Sequence, residues 1–143
     1  MEAEITYNRY NPNSSQPSTK FFLLNIHSIR NKLHLLEAYP ATLNWPQVVI
    51  LTETWIEPLT QNFYNLRGYE PHHVTRPDGY GGLTVFVREH LRHTLLFSEC
   101  RVEGEVQCLG IRLLDLETDL ITVYRKPNER NLHSFLNELD TLL

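Results

Sequence analysis

Lys20-Phe21-Phe22-Leu23-Leu24-Asn25 and Val48-Val49-Ile50-Leu51-Thr52-Glu53-Thr54-Trp55 decide how this chain folds. Each is a continuous apolar run that ends in polar residues. Runs of this length, rich in Val, Ile and Phe, read as strands covered on both faces. Between them Ser28 is placed to cap a helix, and Ile29, Leu33, Leu36 and Tyr39 recur at helical spacing until Pro40 stops it. Strand, helix, strand is a βαβ unit, which makes the two strands parallel with a right-handed crossover. Parallel strands end at the same sheet edge. The Asn25 amide and the Glu53 carboxylate therefore belong at the rim where open α/β folds place ligands. Both offer hard oxygen atoms, the type that Mg²⁺ accepts.

Outward from this unit, residues 1–19 are polar, rich in Asn, Ser and Pro, and without periodicity, which predicts a flexible lead-in to a domain over 20–143. Leu66 to Val74 is an expected strand. Pro77-Asp78-Gly79-Tyr80-Gly81-Gly82 is turn chemistry leading to a further strand, Leu83 to Val87, so the two form a hairpin with a long loop. Gln107, Leu109, Ile111 and Leu113 alternate with Cys108, Gly110 and Arg112 at period two, and the acidic break at Asp115 to Asp119 turns the chain into Leu120 to Tyr124. Leu132, Phe135, Leu136, Leu139 and Leu143 form the apolar stripe of a closing helix, with Asn131 as its cap. The class is α/β with mixed strand pairing.

A chain of 143 residues is one domain's worth. Its apolar runs are far too short to span a membrane with a helix. The amino terminus carries neither a basic start nor an apolar signal core, so the expected location is intracellular, nuclear or cytoplasmic, rather than secreted. A net charge of −4 argues against a simple basic nucleic-acid platform. It leaves room for a metal-assembling site, which is itself acidic before the cation binds. Cys100 and Cys108 read as reduced thiols without a partner framework. His72 and His73 are adjacent and face opposite sides of a strand, while His90 and His93 come with no Cys/His set, so no zinc site is expected.

Asn25-Ile26-His27-Ser28-Ile29-Arg30-Asn31-Lys32 resembles the first motif of the endonuclease/exonuclease/phosphatase superfamily, in its branch of apurinic-type endonuclease domains from jockey-like non-LTR retrotransposons of arthropods. Thr52-Glu53-Thr54-Trp55-Ile56 is similar to the second motif of that branch. Gly68-Tyr69, with Arg76 and Gly81-Gly82-Leu83-Thr84-Val85-Phe86-Val87, resembles the third. Thr122-Val123-Tyr124-Arg125-Lys126-Pro127 resembles the fourth. The blocks stand in the right order over residues 20–128.

The resemblance implies a four-layer α/β sandwich, two packed mixed sheets flanked by helices, and phosphodiester hydrolysis with Mg²⁺ (or Mn²⁺). It implies that Glu53 ligates the metal with Asn25, that Asn25, Glu53 and Tyr124 form the catalytic set, and that Arg76, Arg125 and Asn128 meet DNA. At one point the spacing departs: the family's commonest pattern has one residue between the tyrosine and the proline, and here Arg125 and Lys126 both stand there. The family's later Gly-Asp-Phe-Asn block and its carboxylate-histidine pair are absent from these residues, so the chain resembles a domain truncated at its carboxyl end. Two readings stand side by side. One is the amino-terminal part of a DNA-nicking domain, whose partners are target DNA, the missing carboxyl-terminal half and a reverse transcriptase domain. The other is a catalytically inactive remnant that at most binds DNA or protein. With strands missing, some of Leu83, Val85, Val87, Leu109, Ile111 and Leu113 are expected to lie under thinner cover.

Overall fold

The computed structural model describes residues 2–7, 19–42, 44–101, 106–127 and 132–142. Eight strands and two helices follow in the order β1 (Glu2–Tyr7), β2 (Thr19–Asn25), α1 (Leu33–Thr42), β3 (Val48–Thr52), β4 (Tyr69–Val74), β5 (Leu83–Arg88), β6 (His93–Arg101), β7 (Val106–Leu113), β8 (Thr118–Arg125) and α2 (Leu132–Leu142). They make two sheets, one of five strands in the order β1-β2-β3-β5-β4 and one of three in the order β6-β7-β8. Among the described residues β2 and β3 make the one parallel pair, in the register Asn25↔Thr52, as the βαβ reading requires.

The sheets pack face to face. Between them lie Phe21, Val48, Ile50, Val74, Leu83, Val85 and Val87 from one side and Leu109, Ile111 and Leu113 from the other. The opposite face of the large sheet is closed by α1 and the loops, through Phe22, Val49, Leu51, Phe86, Ile29, Leu36, Ile56 and Leu66. On the small sheet, Arg125 stacks over Phe135 of α2 at 5.6 Å. This puts α2 on the outer face and completes an α/β sandwich.

Four expectations need correction. The lead-in over 1–19 contains β1, which pairs antiparallel with β2 through Ile5↔Phe21 and Ala3↔Leu23, and Thr19 already belongs to β2. The missed signal is the alternation of Ala3, Ile5 and Tyr7 with Glu2, Glu4 and Thr6. Helix α1 starts at Leu33, not after Ser28, because the N–H groups of Ser28 and Ile29 bond the carbonyls of Glu53 and Thr54 at 2.7 and 2.9 Å. Ser28 is left-handed at φ 76° and cannot cap that helix. The helix also continues past Pro40 to Thr42. The bond that Pro40 removes belongs to the last turn, where it costs little.

The fourth correction concerns the core. Leu83, Val85, Val87, Leu109, Ile111 and Leu113 are all at most 1% exposed, since five strands overlie three and leave the inner face of β7 no open side. Exposed aliphatics fall elsewhere, among them Leu59, Leu95, Leu96, Ile121, Leu132 and Leu136. Strand β6 had no sequence-based forecast at all. The capping residue Asn131 and the stripe residue Leu143 lie outside the described residues, and no helix among the described residues is long and apolar enough to cross a membrane.

Candidate metal and phosphate site at the sheet rim

Where β2 and β3 run out, their parallel pairing continues by one bond, Ile26 N–H to the Thr52 carbonyl at 3.0 Å. Both chains then turn sharply. His27 and Ser28 on one side, and Glu53 and Trp55 on the other, have positive φ between 46° and 76°. Four non-glycine residues in the left-handed region within one small volume mark a backbone held there by its surroundings. The holding bonds are visible: Ser28 and Ile29 bind the Glu53–Thr54 backbone, Trp55 N–H binds the Gly81 carbonyl at 2.8 Å, and Lys32 Nζ donates to the carbonyls of Ile26 and His27 at 2.7 and 2.8 Å.

The Glu53 carboxylate sits at the centre of this arrangement. Tyr124, from β8 of the other sheet, donates its hydroxyl to Glu53 Oε1 at 2.9 Å. His27 Nδ1 lies 3.1 Å from Oε2, and the Asn25 side chain also bonds the carboxylate. Asn25 Oδ1 accepts from the His27 N–H at 3.2 Å. Burial pushes the Glu53 carboxyl upward, but the bonds from His27, Asn25 and Tyr124 together outweigh it and hold its pKa below the usual carboxylate value. The side chain is 18% exposed, so the charge is sheltered yet reachable. The His27 ring packs edge-on against Trp55 at 4.4 Å, and Trp55 against Tyr80 at 5.5 Å, forming an aromatic wall beside it.

Asn25, Glu53 and Tyr124, far apart in sequence, are thus brought together. Arg76 is not in that group. Its side chain is only 7% exposed and forms a two-pronged pair with Asp78 at 2.8 and 3.1 Å, which braces the Pro77–Gly82 turn. Arg125 lies against Phe135 on the outer face of the small sheet, and Asn128 lies outside the described residues.

Sequence reasoning missed two residues that matter here. His27 was inside the quoted motif but carried no assigned role. Gln107 is 1% exposed, and its Oε1 accepts the Gly82 N–H, so the small sheet also anchors the turn that holds Trp55. Its signal was in plain view: a polar residue occupying one position of an apolar period-two stripe.

A separate cluster gives His93 a histidine partner that its sequence neighbours do not supply. His72 and His73 do face opposite sides of β4, but His72 meets His93 of β6 with Nε2 atoms 2.9 Å apart. Glu70 approaches both, at 4.0 and 3.5 Å. A contact between β4 of the large sheet and β6 of the small one, which the sequence did not reveal, created the partner set. Cys100 and Cys108 are free, and burial raises the pKa of both thiols.

No family model matches the chain, and no curated protein matches it. Among solved structures it is similar to an AP endonuclease from Archaeoglobus fulgidus, with a TM-score of 0.58 and 20% identity over 87% of this chain. The chain spans about half, 49%, of that structure's length. The fold is therefore that of an AP-endonuclease-like α/β sandwich.

Proposed function

We propose that this chain is the amino-terminal part of a divalent-metal-dependent phosphodiester endonuclease domain, related to the DNA-nicking domain of jockey-like non-LTR retrotransposons. The observation that carries the reading is the Glu53 carboxylate, held ionised at the sheet rim by Asn25, His27 and Tyr124. A sheltered anionic oxygen beside an amide suits Mg²⁺ or Mn²⁺, which bind through one or two carboxylates plus substrate phosphate. Glu53 and Asn25 would hold the ion. Once bound, it would orient the scissile phosphate and offset charge on the leaving oxygen.

The chain's own residues supply the rest of the half-site. Tyr124 holds one carboxylate oxygen and so fixes the direction of the other. His27 shields the second oxygen and, with Trp55 and Tyr80, gives a wall of edge-packed aromatic rings against which an unpaired base or a sugar can rest. The family resemblance places the water-activating group in the later blocks, which these residues do not contain. The 143 residues alone are therefore expected to bind without turning over, which is also what the inactive-remnant reading requires. DNA and the remaining portion of the domain are the proposed partners, with a nuclear or cytoplasmic setting.

Mn²⁺ added to the isotopically labelled chain tests the site. Signals of Asn25 and the Glu53 backbone are expected to broaden first, and Glu53→Gln is expected to abolish this. Broadening that ignores Glu53→Gln would refute the assignment. Supercoiled plasmid with Mg²⁺ is expected to stay closed, because positioning and general-base terms contribute about 10² or more each. Nicking that disappears in Glu53→Ala would show that these residues suffice for turnover.

A further inference from the structure

We propose that Glu70, His72 and His93 form a second metal site, selective for a transition-metal dication of the Zn²⁺ class, which clips edge strand β4 of the large sheet to β6 of the small one. Among the described residues this is the one grouping of three His, Cys, Asp or Glu ligand atoms within 4.8 Å of one another. The His72 and His93 Nε2 atoms are 2.9 Å apart, and the Glu70 carboxylate comes within 4.0 Å of His72 Nε2 through Oε1 and within 3.5 Å of His93 Nε2 through Oε2. In a tetrahedral site with bonds of about 2.0–2.2 Å, ligand atoms lie about 3.3–3.6 Å apart. The observed pairwise separations lie on both sides of that spacing, so an ion needs only small side-chain rotations.

The environment is built for it. His93 Nδ1 lies 2.8 Å from the Leu91 carbonyl, a bond that puts the ring proton on Nδ1 and leaves Nε2 with a bare lone pair. Its side chain is 5% exposed and that of His72 is 14% exposed, so both rings are fixed by packing, while Glu70 reaches in from solvent at 58%. His72 then donates its Nε2 proton to His93 when no ion is bound. Moving that proton to His72 Nδ1 frees the second lone pair without net proton release. Two imidazoles and one carboxylate leave a fourth position for water. His72 also lines a cleft of about 430 Å³ with Gln61, Asn62, Leu95 and Ser98, an entry path for the ion. Nitrogen ligands favour Zn²⁺, Ni²⁺ or Cu²⁺ over Mg²⁺, which wants oxygen. The site and the rim therefore draw on different ions.

The full chain, stripped of metal, is titrated with Zn²⁺ against a chromophoric chelator in excess Mg²⁺, and separately with Co²⁺ read by visible absorption. One equivalent is expected to bind despite Mg²⁺, with the intense visible bands of a low-coordinate cobalt site and a rise in melting temperature. Glu70→Gln, at an exposed position that cannot threaten folding, is expected to weaken binding at least about tenfold, and His72→Asn more. Glu53→Gln and His90→Asn are expected to leave it unchanged. No stoichiometric binding would overturn the proposal, as would binding that survives Glu70→Gln and His72→Asn. Thiolate-to-cobalt charge-transfer bands would assign the ion to a cysteine, and loss of binding in Glu53→Gln would assign it to the rim. Either would equally overturn the proposal.

Discussion

Replacing Tyr124 with Phe removes one hydroxyl and leaves the ring, so it isolates the bond that joins the small sheet to Glu53. A hydrogen bond to a charged group contributes about 1.5–3 kcal/mol when well sheltered. Glu53 is 18% exposed and keeps His27 and Asn25 as partners, so about 1 kcal/mol is the expected loss at pH 7. For a chain of this size that lowers the melting temperature by about 3–5 °C. The pH dependence distinguishes this bond from mere packing. The folded Glu53 carboxyl lies below its ordinary value of 4.5, so the stability it confers is complete above that value and is lost as pH falls through the folded pKa. Wild type and Tyr124→Phe should therefore differ at pH 7 and converge as acid protonates Glu53. Urea melts at several pH values measure the difference, and the carbon signal of the Glu53 carboxyl should titrate at higher pH in the variant. An equal stability gap at neutral and acid pH would refute the reasoning, because it would place the effect in packing.

Gly82→Ala is expected to destabilise by about 2–3 kcal/mol, since φ is 91° there and an added Cβ would come within 2.5 Å of Thr54 Oγ1; a denaturant midpoint near wild type would count against the stated crowding. Gln107→Ala leaves the buried Gly82 N–H unpaired and is expected to cost about 1–3 kcal/mol, with a non-additive cycle against Tyr124→Phe measured by the same melts. Ile111→Ala, at 0% exposure in the inter-sheet core, is expected to cost about 2–5 kcal/mol, and a loss under 1 kcal/mol would mean the sheets are not packed as described. Burial pushes His73 down to about 4, so the folded state resists protonation there while the unfolded state does not. Stability should fall as pH drops from about 6.5 toward 4, and His73→Gln should flatten that slope in urea melts.

The parallel β2–β3 pair, its polar ends and the β4–β5 hairpin were legible because continuous apolar runs and turn residues are local signals. Strand β6 was not legible. His93–Arg101 mixes polar and apolar residues without strict alternation, and a bulge between Leu95 and Phe97 breaks its register. The Glu70/His72/His93 cluster was hidden for the same reason, since it depends on β6 meeting β4. Helix α1 was placed too early because Ser28 carries a cap residue's chemistry, while tertiary bonds to Glu53 and Thr54 set its backbone otherwise.

The rim itself follows from one rung of the small sheet. Gln107 and Tyr124 are direct partners in the β7–β8 register, and partners in an antiparallel pair point to the same face. That face is the inner one. Leu113, Ile111 and Leu109 fill the inter-sheet core along β7, and Gln107 is the next position on the stripe. The stripe thus turns polar only at the level of the β2 and β3 ends. At that rung Gln107 fastens the Gly82 turn and Tyr124 fastens Glu53. The packing that buries the aliphatic part of the stripe therefore fixes how far its polar end reaches across. A site assembled this way is sensitive to inter-sheet distance. A core substitution such as Ile111→Ala should weaken the hold on Glu53 although it touches none of the rim residues.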